Sequence, residues 1–126
     1  MKQQIKNWKT QEIIYECEAD NIKKAVEKAV KLKVSLAYVD LCRADLRYAD
    51  LSGADLRCAD LRNADLHNAD FSSANLQYAD LRGANLHGSD LRTADLSEAD
   101  LSGSDLRYAD LKNCKISNTI RYAILK

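Results

Sequence analysis

The chain has 126 residues, of which 46% are hydrophobic and 30% are charged, so it can bury a core and is not a disordered segment. Its 19 Lys and Arg balance 19 Asp and Glu, which excludes a strong overall attraction to nucleic acid or to an anionic membrane. No apolar run approaches the roughly 18 residues of a membrane span, and the first residues lack the apolar stretch of a signal peptide. We therefore expect a cytoplasmic protein with reduced cysteines that neither enters a membrane nor binds nucleic acid directly.

The first predicted element is a β-hairpin. From Ile13 to Ala19 every second residue is apolar and most of the others are acidic, which predicts a half-buried strand over about 12–19. A second strand over about 3–8 would pair with it across a short turn. Together with the helix that follows, this hairpin would cover the start of the repeats.

A helix is predicted next, over about 21–32. Asp20 or Asn21 is a suitable N-cap, and the apolar residues that follow recur at the spacing of a helix. Since a stacked repeat fold exposes an apolar section at its end, we interpret residues 1–35 as an N-terminal cap for the repeats. A helix that binds a partner is the alternative interpretation.

From Val39 onward the sequence follows a five-residue period with the pattern Ala-Asp-Leu-x-x. On an α-helix this period would spread the leucines around the cylinder, and on a straight strand it would place alternate leucines on opposite faces. A strand that turns a corner once per unit, between each Leu and the next Ala, directs every Leu and Ala inward. Such corners produce an all-β solenoid whose coils stack about 4.8 Å apart. The predicted structural core consists of the sixteen repeat centres, Leu41, Leu46, Leu51, Leu56, Leu61, Leu66, Phe71, Leu76, Leu81, Leu86, Leu91, Leu96, Leu101, Leu106, Leu111 and Ile116.

Over residues 39–116 this pattern resembles the repeats of the pentapeptide repeat family. The resemblance implies a bacterial protein whose residues 36–116 form a right-handed quadrilateral β-helix, with four units per coil and about four coils. It also implies two kinds of contact. Some members of the family bind type II topoisomerases in place of DNA, and some dimerise through their C-terminal ends.

The last segment, 117–126, loses the five-residue phase. It contains several apolar residues, among them Ile120, Tyr122 and Ile124, but ten residues are few to cover the end of a coil. From the resemblance we expect this segment to be a C-terminal cap or the contact of a homodimer.

Stacking with a twenty-residue coil would place residues twenty apart in columns along the outside of the solenoid. Arg62 and Arg82 would lie beside one all-acidic column, and Arg92 and Lys112 beside a second, so we expect a partly neutralised lattice of ion pairs. The candidate partner-binding residues are these two columns, Asp40, Asp60, Asp80 and Asp100, and Asp50, Asp70, Asp90 and Asp110.

Two functions are compatible with this surface. The first is a non-enzymatic scaffold that displays aspartate and arginine to a protein partner of unknown identity. The second, implied by the resemblance, is a DNA mimic that regulates or protects DNA gyrase or topoisomerase IV. The fourteen acidic residues of 36–116 give about 0.7 negative charges per Å over four coils, near the roughly 0.6 of duplex DNA, whereas the net charge of −5 gives only about 0.26. The gross charge therefore favours mimicry and the net charge weakens it.

The remaining candidates for chemistry are weak. His67 and His87 are twenty apart and should stack, but the arginines that flank them in their column oppose a metal ion, and no third ligand is evident. Tyr48, Tyr78 and Tyr108 are outward corner residues that look too scattered for a base-stacking platform. The four cysteines have no C-x-x-C spacing, and no nucleophile motif or phosphate-binding glycine loop occurs. We expect no cofactor, no metal and no catalysis.

Overall fold

The structure is a computed structural model that describes residues 1–117. It begins with an antiparallel hairpin of β1 (Lys2–Lys6) and β2 (Ile13–Glu18), in which Ile5 lies opposite Tyr15. The predicted first strand extended to residue 8, whereas β1 ends at Lys6. Asn7 still donates its backbone N–H across the hairpin to the carbonyl oxygen of Glu12 at 2.8 Å, but it also forms an antiparallel bridge with Val39 of the first coil.

The helix α1 (Ile22–Lys31) follows the hairpin at the predicted place. Asn21 is its N-cap, since its side-chain oxygen accepts the backbone N–H of Lys24 at 2.9 Å and so provides a partner for one of the free donors of the first turn. One face of α1 is fully buried. That face, formed by Ala25, Val26 and Ala29, belongs to the same hydrophobic core as Ile5 and the repeats.

The repeats form coils of twenty residues. Parallel bridges join residues i and i+20 throughout, from Asp40 with Asp60 to Asp95 with Lys115. In each bridge the backbone hydrogen bonds run both ways; the N–H of Leu41 donates to the carbonyl oxygen of Asp60, and the N–H of Asp60 donates to that of Val39, both at 2.8 Å. Since one coil contains four five-residue units, the rod has four faces.

Each unit turns its corner in a β-turn. In the first complete unit the N–H of Ala44 donates to the carbonyl oxygen of Leu41 at 3.1 Å, and Arg43, the third residue of the turn, has a φ of 63°. A positive φ at that position defines a type II turn. The same left-handed conformation recurs at every fifth residue from Tyr38 to Asn113, in twelve non-glycine residues and four glycines.

The core is continuous from the hairpin through the coils. The repeat centres from Leu41 to Leu101 are buried, and Leu106, Leu111 and Ile116 are partly buried at the C-terminal end. No helix within residues 1–117 is long and apolar enough to cross a membrane. The predicted C-terminal cap or dimer contact, except for Ser117, lies outside the described residues.

Candidate functional site

Both aspartate columns are continuous along the rod. Parallel bridges connect Asp40, Asp60, Asp80 and Asp100 on one face, and others connect Asp50, Asp70, Asp90 and Asp110. Since the two columns are two units apart in the four-unit coil, they lie on opposite faces. The other two faces are diluted, because Asn85 interrupts one column, and Asn75 and Lys115 occur in the other.

Two of the four aspartates of the first column are bound by arginine forks. Arg62 binds Asp60 through Nε and Nη2, at 2.9 and 2.7 Å, and Arg82 binds Asp80 in the same way, at 2.8 and 2.6 Å. Each arginine also approaches the aspartate of the next coil, at 3.8 Å for Asp80 and 3.9 Å for Asp100. These arginine hydrogen bonds lower the pKa of Asp60 and Asp80. Asp60 is 8% exposed, so little of it is available to a partner.

The second column is less neutralised. Only Asp90 is bound by an arginine fork, from Arg92 at 2.8 and 2.6 Å. Asp50 and Asp70 instead accept the hydroxyls of the serines two residues later, both at 2.7 Å. Asp110 is exposed and its Oδ2 lies 4.0 Å from Arg92 Nε. One carboxylate of this column is therefore held in an arginine fork, compared with two in the first column.

At the aspartate position the side-chain oxygen makes a local hydrogen bond that does not need a charge. In both columns Oδ1 accepts the backbone N–H of the residue two positions later, for example at 2.9 Å between Asp70 and Ser72. Asn75 and Asn85 accept the corresponding N–H at 3.1 and 3.0 Å through their amide oxygens. Local structure thus explains the polar side chain at this position, while the charge of the unbroken columns is left for another role.

A ladder of four rings runs along the face between the two columns. His67 and His87 stack with ring centroids 5.1 Å apart, and Tyr48 and Tyr108 contact the two ends edge-on at 5.8 and 5.3 Å. Tyr48 and Tyr108 lie at opposite ends of this ladder, three coils apart as predicted. Their contacts with the histidines were not predicted, because each tyrosine stands next to the histidine column by an offset of one residue. Only the two histidine rings stack face to face, and the tyrosine rings at the two ends remain exposed.

A second aromatic cluster was missed entirely at the sequence level. Trp8, in the hairpin turn, lies against Tyr38 with centroids 6.0 Å apart, and both line a groove of about 460 Å³ with Cys58 and Tyr78. The signal that could have found it is the recurrence of tyrosine at corners 38 and 78 on either side of Cys58. The position of Trp8 depends on where β1 ends, which the sequence did not predict.

The other sequence candidates for chemistry stay separate. Cys17, Cys42, Cys58 and Cys114 are all free thiols. Burial raises the pKa of Cys114 to about 11, which makes its thiol a weak nucleophile at neutral pH. Within residues 1–117 no three His, Cys, Asp or Glu side chains are arranged to hold a metal ion.

Comparison with known proteins agrees with this architecture. The family model described as pentapeptide repeats matches residues 33–63, 54–92 and 84–120, with eight copies. A pentapeptide repeat protein of known structure from Nostoc PCC 7120, alr5209, is 34% identical, with 62% of this chain and 76% of that chain covered and a TM-score of 0.51. A comparison with curated protein sequences gave no match.

Two further solved structures are similar. HetL from Nostoc sp. strain PCC 7120, described as involved in regulation of heterocyst differentiation, is 40% identical; the match covers 63% of this chain and 41% of HetL, with a TM-score of 0.40. QnrB1, described as a plasmid-mediated fluoroquinolone resistance protein, is 22% identical over 64% of this chain and 61% of its own, with a TM-score of 0.24. The likeness to QnrB1 is one of fold alone.

Proposed function

Because the chain belongs to the pentapeptide repeat family, whose fold is a right-handed quadrilateral β-helix, we propose that it is a non-enzymatic scaffold that binds a protein partner. The observation that carries the proposal is the charge of the two unbroken aspartate columns. Asparagine makes the same backbone hydrogen bond elsewhere in the rod, so the fold alone does not account for eight aspartates in eight positions. A partner with a basic surface accounts for them.

The proposal divides the chain into three parts. Residues 1–35 are the N-terminal cap, 36–116 are the β-helix of about four coils, and 117–126 are a C-terminal cap or a dimer contact. The shared core of Ile5, α1 and the repeats supports the capping role, because it keeps the first coil out of solvent. A cytoplasmic location belongs to the same proposal and is consistent with the four free cysteines.

The second column is the better binding face. Its carboxylates at positions 50, 70 and 110 are bound by serine hydroxyls or backbone N–H groups and not by arginine forks. An ion pair with a partner does not have to replace an internal ion pair there. We therefore expect the partner to contact Asp70 and Asp110 more strongly than Asp60 and Asp80.

Affinity capture with paired variants tests the scaffold. Asp70→Asn/Asp110→Asn removes two charges from the second column, and Asp65→Asn/Asp95→Asn removes two from the diluted faces. All four asparagines retain the backbone hydrogen bond of the position. We expect the first variant to lose a partner that the wild type and the second variant retain. Equal capture by both variants would contradict the proposed face.

A DNA mimic that acts on gyrase or topoisomerase IV is the second candidate function. The observation in its favour is the regular spacing of carboxylates along two opposite faces of the rod. The arginine forks of the first column weaken the case for mimicry, because they offset part of the negative charge. A supercoiling assay with and without a fluoroquinolone decides this question. Inhibition or drug protection that is lost in Asp70→Asn/Asp110→Asn but not in the matched variant would favour mimicry. No effect up to tens of micromolar would exclude it.

Dimerisation through the C-terminal end is a further part of the proposal. The partial burial of Leu106, Leu111 and Ile116, in contrast to the buried centres before them, supports an additional contact at this end of the rod. Light scattering of the full chain and of a variant lacking 117–126 tests it. We expect the full chain to be a dimer and the truncated variant to be a monomer. If both are monomeric, the contact is excluded.

A further inference from the structure

A groove between α1 and the first coil is rich in lysine. It has a volume of about 490 Å³, and its acidic lining residues are Glu27 and Asp50. Four exposed lysines line it, Lys24, Lys28, Lys31 and Lys33. Four ammonium groups against two carboxylates leave a net charge of +2 on the lining of this lysine groove. Its charge therefore favours an anionic occupant.

Both carboxylates of the lysine groove are engaged by hydrogen-bond donors of the first coil. Glu27 Oε2 accepts the backbone N–H of Asp50 at 2.8 Å, whereas the equivalent N–H of Asp70 donates to a carbonyl oxygen of the coil before it. Asp50 Oδ1 accepts the hydroxyl and the backbone N–H of Ser52, at 2.7 and 3.2 Å. Both carboxylates thus serve the local structure of the first coil.

Two of the four lysines have internal partners. Lys28 Nζ donates to the carbonyl oxygen of Glu18 at 2.8 Å, and Lys24 Nζ lies 3.8 Å from Glu27 Oε1. The last turn of α1 contains Lys28 and Lys31, where a positive charge suits the helix dipole. The dipole does not account for Lys24 in the first turn or for Lys33 beyond the helix.

The other two lysines are more available. Lys31 and Lys33 form no salt bridge within residues 1–117. Hydrogen bonds from Ser52, and to a smaller degree the charge of Lys31, lower the pKa of Asp50. An anion that binds in the groove would therefore contact the ammonium groups of Lys31 and Lys33 without replacing an internal salt bridge.

The spacing of the lysines suits an extended peptide. Lys24, Lys28 and Lys31 are four and three residues apart, so they lie along one face of α1 over about 10 Å. Alternate side chains of an extended segment are about 6.6 Å apart on one side, so two or three acidic side chains can follow this row. None of the lining residues that the structure describes is aromatic, so the groove offers no ring on which a nucleotide base would stack.

The lysine groove lies at the N-terminal end of the second column, since Asp50 belongs to both. A column that repeats once per coil does not define one position along the rod. A partner shifted by one coil, about 4.8 Å, would meet aspartates at the same spacing. A site of opposite charge at one end of the column removes this ambiguity.

We propose that the lysine groove binds an acidic segment of the protein partner, a proposal that rests on the proposed scaffold function. The partner then has a basic surface that contacts the second column and an acidic segment beside it. The two contacts together set the position and the direction of the partner along the rod.

Fluorescence anisotropy with a labelled, capped peptide of six glutamates tests the groove. A peptide of six serines and an oligothymidylate with six phosphates are the comparison ligands. Lys31→Gln/Lys33→Gln is the test variant. Lys2→Gln/Lys6→Gln is the matched control, because it removes the same charge from two exposed lysines of β1. Circular dichroism and urea unfolding establish that both variants fold.

We expect the glutamate peptide to bind the wild type saturably, and the test variant to weaken this binding by about tenfold and the control by less than about twofold. The serine peptide should not bind. Equal weakening by the two variants would mean that the peptide senses only the overall charge and would overturn the proposal. No binding of the glutamate peptide, or equally tight binding of the oligothymidylate, would also overturn it.

Partner capture separates this proposal from the scaffold proposal. If Lys31→Gln/Lys33→Gln retains the captured partner while Asp70→Asn/Asp110→Asn loses it, the scaffold stands and the lysine groove is not a contact of its partner. If Lys31→Gln/Lys33→Gln loses the partner while neither aspartate variant affects capture, the lysine groove stands and the aspartate face is rejected.

Discussion

Most corner residues of the repeats have a left-handed backbone conformation that is unfavourable for their residue type. Glu98 has a φ of 62° and is exposed, and a left-handed conformation costs an ordinary L-residue about 1–2 kcal/mol. Asparagine tolerates this region better because its short side chain can hydrogen-bond locally. We expect Glu98→Asn to stabilise the protein by about 1 kcal/mol in urea unfolding. Glu98→Val is the opposite control and should destabilise it, and equal stability of the two variants would argue against corner strain.

The repeat centres differ in what their truncation should cost. Leu66 is fully buried in the middle of the rod, whereas Leu106 is partly buried near its end. Leu66→Ala removes the same atoms as Leu106→Ala but leaves an enclosed cavity, so we expect it to cost about 3 kcal/mol and Leu106→Ala less than about 2 kcal/mol. Urea unfolding of both variants measures the difference. Equal costs would mean that Leu106 is as well enclosed as Leu66.

At the scale of elements, the start of α1 depends on one side chain. Asn21 accepts the N–H of Lys24 at 2.9 Å, and no other side-chain cap of this helix is present among the described residues. Asn21→Ala should therefore destabilise the protein by about 1 kcal/mol. Asn21→Ser is the control, since serine also caps well and should retain most of the stability. If alanine and serine are equivalent, the cap does not contribute.

The end of β1 could not be predicted from the local sequence pattern. Alternation predicted the hairpin, and the N-cap signal predicted the helix to within a residue at each end. Asn7 and Trp8 were assigned to the strand because their local sequence allows it. Both bind the first coil, Asn7 through a bridge to Val39 and Trp8 through a hydrogen bond to Tyr38. Those partners lie about thirty residues away in sequence. The aromatic groove depends on this long-range pairing, so it was not predicted.

At the scale of the whole molecule, the five-residue period carries most of the structural information. It predicts the inward centres and the corner between each Leu and the next Ala. The aspartate columns need one further quantity, the twenty-residue coil, which came from the family resemblance. Contacts between neighbouring columns follow from side-chain direction and not from spacing, which is why the offset ring ladder of Tyr48 and Tyr108 was missed.

The arginine forks make the stability of the rod depend on pH. The hydrogen bonds of Arg57 lower the pKa of Asp55 to about 2, and they outweigh the opposing effect of burial. A fork lowers the pKa in the same direction at five other aspartates, Asp45, Asp60, Asp80, Asp90 and Asp105. An unfolded aspartate titrates near 3.9, so the unfolded chain takes up these protons first as the pH falls.

The stabilisation is therefore fully present above pH of about 4 and is lost as the pH falls to about 2. We expect the urea midpoint to stay nearly constant from pH 7 to 5 and to fall below pH 4. Asp55→Asn removes one such group, so it should be less stable than the wild type at pH 7, with the difference closing near pH 2. Unfolding curves across this range measure both effects. A difference that persists at pH 2 would mean that Asp55 stabilises the rod through its shape and not through its charge.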